Sequence, residues 1–210
     1  MTTRDRRTFL AGAAAFTIAT ARADAQQTTR IDLETAAYTG AITGSGALAH
    51  WELLGDSTAP TKRKVLAQTS TDKTDYRFPL AIFDAPAPAT LDVSVRFKPV
   101  AGEVDRAAGL AVRLRDRDNY YVVRANALED NVRLYKMVGG QRLQFAGANA
   151  RVPSGVWQEL RLKVEGTRFE VFLDSKSLYT ASDATFAAAG RVALWTKADS
   201  VTYFDDLRII

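Results

Sequence analysis

Between Gly109 and Leu194 the chain reads as one hairpin after another. The runs are Gly109–Arg115, Tyr120–Ala127, Asn131–Val138, Arg142–Gly147, Val156–Glu165, Phe169–Leu173, Lys176–Ala181 and Arg191–Leu194. They are rich in Val, Leu, Tyr and Phe, and short polar or glycine turns separate them. Asp116-Arg117-Asp118-Asn119 reads as a turn that Asp and Asn side chains cap. Gly139-Gly140, Gly166-Thr167 and Asp174-Ser175 close further hairpins, glycine tolerating positive φ. Such a succession leaves little besides an antiparallel sheet protein.

The strands upstream follow the same pattern. In Thr90–Pro99, Leu91, Val93, Val95 and Phe97 take one side and Asp92, Ser94, Arg96 and Lys98 the other. This period of two marks a strand with one wet face. His50–Leu54, Val65–Gln68 and Tyr76–Phe83 read as strands, with an edge strand near Ile31–Leu33. Gln26–Gly46 otherwise reads as a loose lead-in, Asp84–Ala89 as a loop, and Asp183–Ala189 as one short helical turn. Val201, Tyr203, Phe204, Leu207 and Ile209 supply closing strands. No long 3.6-period segment follows the leader. About a dozen short strands predict an all-β fold of two antiparallel sheets, a jelly-roll sandwich before a closed barrel.

The N-terminus reads as an address. Arg6-Arg7-Thr8-Phe9-Leu10 precedes an apolar run, Ala11–Ala21, and small-x-small exits end at Ala23 and Ala25. These are the parts of an export signal over residues 1–25. The paired arginines resemble the twin-arginine signal, the alternative being an ordinary secretory leader. The apolar run is shorter than the ~20 residues a membrane span needs. A cut after Ala25 leaves 185 of the 210 residues, read as one domain over 28–210. The leader carries four Arg and two Asp, so the net charge falls from +4 to +2. Without a basic run, nucleic acid is set aside as a partner. The destination is periplasmic or extracellular.

There is no cysteine and one histidine, His50. Thiolate chemistry is excluded, and Ser–His or multi-His mechanisms have almost nothing to work with. His50-Trp51 reads as structural, and Trp157 as a packing residue at a strand start.

Several segments together resemble a known family. They are Asp118–Arg124, Asn131–Lys136, Gly155–Arg161, Phe172–Asp174, Gly190–Thr196 and Phe204–Ile209. The chain from about Leu91 onward resembles the concanavalin A-like lectin/glucanase sandwiches, in particular the group named for 3-keto-disaccharide hydrolases. The resemblance implies a jelly roll whose concave sheet receives sugars. It also implies a structural calcium near the closing strand, with Asp205 as its carboxylate. The related family 16 glycoside hydrolases carry Glu-x-Asp-x-x-Glu on one strand. The nearest match, Glu103–Ala108, lacks the second glutamate and reads as a solvated loop.

Alternation places Arg113, Arg115, Arg124 and Asn126 opposite apolar partners, where they would form a polar floor. Tyr120, Tyr135 and Trp195 would add aromatic platforms. Sugars call for that mixture of apolar ring faces and forked donors. The leading expectation is an exported lectin-like domain binding carbohydrate on its concave face. A second is a hydrolase or lyase on a (3-keto-)glycoside, using acids among Asp92, Glu129, Asp130 and Glu159. A third is a structural module that docks an envelope protein.

Overall fold

The computed structural model describes residues 28–209 together with Met1; residues 2–27, which carry the export-signal reading, lie outside the described residues. The described residues contain fifteen strands: β1 Thr29–Ile31, β2 Tyr38–Gly44, β3 Trp51–Gly55, β4 Lys64–Gln68, β5 Arg77–Ala87, β6 Leu91–Ala101, β7 Ala107–Asp116, β8 Asn119–Asn126, β9 Asn131–Val138, β10 Gln141–Asn149, β11 Gln158–Glu165, β12 Arg168–Leu173, β13 Lys176–Ser182, β14 Gly190–Trp195 and β15 Val201–Ile209. They form two antiparallel sheets stacked as a jelly-roll sandwich. One runs β13-β12-β11-β6-β15-β4-β3, with β1 on β15; the other runs β10-β9-β8-β7-β14-β5-β2. Among the described residues no helix is long and apolar enough to cross a membrane.

The main core lies between the sheets. Leu91, Val93, Val95 and Phe97 of β6 meet Leu160, Leu162 and Val164 of β11 on one side. Leu110, Val112, Tyr121, Val123, Val132 and Leu134 face them from the second sheet. The alternation read in Thr90–Pro99 is therefore the register of the sandwich. Each such side chain contributes about 1.5–3 kcal/mol when fully buried.

Three local expectations are corrected. The lead-in contains β2, paired with β5 from Tyr38↔Phe83 to Gly44↔Arg77. As an edge strand of Thr, Gly and Ala it has one ladder partner and a weak hydrophobic signature. β5 runs on through Asp84 and Pro86 to Ala87, because an exposed Pro86 pairs with Arg191 of β14. Residues 183–189 hold no helix; Phe186 there is a buried plug into the main core.

A second apolar cluster lies on the other face of the seven-stranded sheet. Phe78, Leu80, Ile82, Ala111, Leu114, Tyr120, Val122, Tyr135, Met137, Ala193 and Trp195 form it. Hydrogen bonds tie opposite corners of this sheet together. Trp195 Nε1 donates to Tyr120 Oη at 3.2 Å, Tyr120 Oη and Thr43 Oγ1 are 2.9 Å apart, and Thr43 Oγ1 donates to the Arg117 carbonyl. Tyr76 Oη donates to the Gly140 carbonyl at 2.9 Å and accepts from Arg142 N at 2.8 Å. The β7–β8 and β9–β10 turns thus meet the ends of β2 and β5. Gly109 makes room for this closure: a Cβ there would stand 2.8 Å from the Val123 carbonyl and 3.1 Å from the Trp195 ring.

Candidate functional site

The polar part of this face lies where β8 and β14 end and β9 begins. Arg124 and Asn126 point outward from β8, opposite the core residues Tyr121, Val123 and Ala125. Arg124 Nη2 donates to Glu129 Oε2 at 2.9 Å and to Asn131 Oδ1 at 2.6 Å. Asn131 Nδ2 donates to the same glutamate oxygen at 2.9 Å. Asn126 Nδ2 donates to Asp105 Oδ1 at 2.9 Å. Lys197 Nζ joins two carboxylates, Asp105 at 3.0 Å and Asp75 at 2.5 Å.

Tyr135 stands among these groups. The Arg124 guanidinium carbon is 5.5 Å from its ring centroid. That of Arg142 is 4.7 Å from the same ring and 4.9 Å from Phe78. Arg133 lies across Gly147, where a Cβ would be 2.3 Å from its Cδ, and donates to Asn149 Oδ1 at 2.8 Å. Cation–π contacts of this kind contribute about 0.5–2 kcal/mol and hold the guanidinium planes in place.

The two carboxylates nearest Arg124 are pushed in opposite directions. Burial raises the Asp105 pKa, against the pull of Lys197 and Arg124. Burial also works against charge on Glu129, but donation from Asn131 and the charge of Arg124 outweigh it and lower its pKa. Asp75 is lowered chiefly by its bond to Lys197. The side chains of Asp75 and Glu129 are 74% and 51% exposed, so the cluster meets solvent there.

The structure gathers only part of the expected floor. Arg124, Asn126 and Tyr135 come together. Arg113 does not join them, because β7 carries extra residues between Val112 and Asp116. Arg113 takes φ 48°, the alternation flips, and Leu114 falls on the face of Ala111. The Arg113 guanidinium turns inward and donates to the carbonyls of Ala89, Phe186 and Gly166 at 2.7–2.9 Å. Arg115 is exposed and lies over Phe186, 5.0 Å from its centroid. Tyr120 and Trp195 are completely buried in the apolar cluster and present no open platform; burial holds the Tyr120 hydroxyl far above its usual pKa.

Asp105, Lys197, Asp75, Asn131 and Arg142 complete the cluster. Lys197 stands two residues beyond Trp195, and Arg142 pairs with Met137, two beyond Tyr135. Period-two reasoning extended past each strand end would have found both. Asp105 had no such signal. It sits in the loop expected for Glu103–Asp105, but is 1% exposed instead of solvated.

The other candidate acids lie apart from one another. Asp92 pairs with Arg161 through two bonds on the eight-stranded sheet. Glu159 is 3.7 Å from Arg96 on that sheet. Asp130, in the β8–β9 turn, accepts from Val152 N at 2.8 Å. His50 is exposed, 3.7 Å from Glu52, at the start of edge strand β3. Trp157 donates to Thr58 Oγ1 at 3.1 Å, with Lys98 over its ring.

The residues at Asp205 do not fit a calcium ion. Asp205 Oδ2 accepts from Thr61 N, and Oδ1 from Thr61 Oγ1 and Asp206 N, all at 2.8 Å. Neighbouring carboxylates are held by guanidinium groups: Asp206 by Arg30 and Arg208, Asp32 and Glu34 by Arg63. Among the described residues no group of three His, Cys, Asp or Glu is arranged to hold a metal. Calcium needs six to eight oxygens, and these carboxylates are already committed. Chelation with EDTA is expected to leave the melting temperature unchanged; a drop of several degrees would restore the calcium reading.

Solved structures place this architecture among known sandwiches. A carbohydrate binding module, CBM66 from Bacillus subtilis, is 18% identical, with a TM-score of 0.63 over 80% of this chain and 94% of that one. A galectin-like protein of unknown function from Bacillus subtilis is 10% identical, with a TM-score of 0.59 over 81% and 88%. A Bacteroides ovatus family 16 glycoside hydrolase, solved with an oligosaccharide product, is also 10% identical, with a TM-score of 0.56 over 77% and 85%. The fold is a concanavalin A-like sandwich. At these identities the likeness concerns the fold. No protein-family model matches the chain, and no curated protein matches it.

Proposed function

We propose that this is an exported carbohydrate-binding domain. Its ligand would contact the solvent-facing rim of the polar cluster on the seven-stranded sheet. The observation that carries this reading is the set of polar groups that reach solvent there: Glu129 and Asp75 are exposed acceptors and half-buried Arg142 is a forked donor. Arg124, Asn126, Asn131 and Lys197 are buried beneath them and hold the carboxylates in place. A sugar offers hydroxyls that both donate and accept, which suits such a rim. Fold likeness to a carbohydrate binding module supports the same reading, as does the Arg6-Arg7 leader for export.

Binding without turnover is favoured over hydrolysis by where the acids lie. Asp92 and Glu159 belong to the other sheet, and Asp105 is sealed beneath Asn126 and Lys197. A glycosidase needs two carboxyl groups facing one scissile bond, about 5–10 Å apart.

A glycan-array screen of the mature domain, with product analysis on each hit, tests the proposal. Saccharide binding is expected, weakened several-fold by Asp75→Ala, since an exposed acceptor contributes about 0.5–1.5 kcal/mol. Turnover of a hit would make the protein an enzyme. Silence across the array would favour a protein-docking module instead.

A further inference from the structure

A cleft of about 380 Å³ opens where the two sheets meet at their margin, beside edge strands β10 and β13. Ala150 and Arg151 line it from the segment after β10; Leu173, Asp174, Lys176 and Leu178 line it from the β12–β13 hairpin. Its volume falls within the ~300–1,000 Å³ of small-molecule sites. Leu173 belongs to the main core, and Ala150 and Leu178 pack against it, so these three give the cleft an apolar floor. Arg151, Asp174 and Lys176 are exposed and leave its mouth open to solvent.

Backbone bonds hold both walls. The Asp130 carbonyl accepts from Ala150 N at 3.0 Å, and Asp130 Oδ1 accepts from Val152 N at 2.8 Å, one residue to either side of Arg151. On the hairpin side, Asp174 N donates to the Glu159 carbonyl at 2.9 Å, and Asp174 Oδ1 accepts from Glu159 N at 2.8 Å. The cleft is therefore formed before a ligand arrives, which spares the ordering cost of binding.

Charge selects the kind of ligand. Two cations and one carboxylate line the cleft, and that carboxylate already serves Glu159 N. Among the described residues, neither Arg151 nor Lys176 forms an ion pair, whereas Arg161, Lys163 and Arg168 on neighbouring strands each have an acidic partner. A guanidinium fork matches the two oxygens of a carboxylate, and an ammonium adds a point charge. The floor of Ala150, Leu173 and Leu178 gains nothing from a bare inorganic anion; it favours an acid carried on an apolar body.

We propose that this cleft binds a small organic carboxylate, its acid group at Arg151 and Lys176 and its apolar face on Leu173 and Leu178. The site is separate from the polar rim, and either can fail alone. A sugar acid, with apolar C–H faces, and an aliphatic acid share this chemistry.

The test titrates the purified protein by calorimetry at low salt with glucuronate, galacturonate and hexanoate. Each is set beside an uncharged counterpart: methyl glucoside, methyl galactoside and hexanol. At least one carboxylate is expected to bind about tenfold or more tightly than its counterpart, with an advantage that shrinks as salt rises. The arm that responds tells a sugar acid from an aliphatic one. Arg151→Gln combined with Lys176→Gln is expected to remove the preference while the protein stays folded by circular dichroism, since both side chains are exposed. Arg151→Lys keeps the charge, loses the fork, and is expected to retain a reduced preference.

No advantage for any carboxylate would overturn the proposal and leave the rim reading standing. A preference that survives the double substitution undiminished would place the acid elsewhere and overturn it too. Binding of sodium sulfate as tightly as of the best carboxylate would reduce the effect to unspecific charge and likewise overturn it.

Discussion

Arg113→Ala is expected to lower the stability of the domain by about 2–4 kcal/mol, from one buried and two partly buried carbonyls left without their donor together with the lost packing of the side chain. Three carbonyls, the buried one of Phe186 and the partly buried ones of Ala89 and Gly166, accept from this one guanidinium. They belong to the loop before β6, the segment before β14 and the β11–β12 turn, so one side chain fastens three connections at one end of the sandwich. Alanine leaves the carbonyls without donors and also removes a cation 5.9 Å from the Phe169 ring. In a domain of this size each kcal/mol shifts the melting temperature by about 2–4 °C, so a fall of roughly 10 °C is expected. Arg113→Lys should recover only part of it, since one ammonium lacks the spread of a guanidinium. The measurement is a thermal or urea melt of the mature domain. A loss below about 1 kcal/mol would show that water serves the three carbonyls equally well.

The same residue shows where sequence reasoning stops. Leu91, Val93, Val95 and Phe97 were readable as a buried row because an uninterrupted strand keeps its period. In β7 the period breaks at Arg113, and every residue beyond the bulge changes face. A bulge leaves little trace in side-chain type, so Arg113 looked equivalent to Arg124. The turns were readable for the opposite reason: they demand particular residues. Gly139 and Gly140 take φ 55° and 80°, and Asp174 and Ser175 take 48° and 65°, as close hairpins require. The polar cluster lies between these cases. Arg124, Asn126 and Tyr135 follow from alternation on unbroken strands. Asp75 and Asp105 come from loops, and only the fold brings them to Lys197.

Closure of the seven-stranded sheet was not readable at all, and Trp195 measures what it contributes. Trp195 sits on the face that the family resemblance would leave open to sugar. Its ring stacks on Phe78 at 5.4 Å and 15°, and its Nε1 begins the hydrogen-bond chain through Tyr120 and Thr43 to the Arg117 carbonyl. Trp195→Ala is therefore expected to cost about 3–5 kcal/mol, as deletion of a buried aromatic does. It also takes away the side chain that spans Gly109 between β14 and β7. Trp195→Phe keeps most of the stacking and loses the N–H, so about 1 kcal/mol is expected. With Trp195→Phe, binding at the polar cluster should be nearly unchanged, because Glu129, Asp75 and Arg142 remain at its rim. An open sugar platform at Trp195 would give the reverse: small changes in the melt for both variants, and a large loss of saccharide binding for Trp195→Ala. Melting curves and saccharide titrations of the two variants, measured together, decide whether this half of the face is a second core or part of the binding surface.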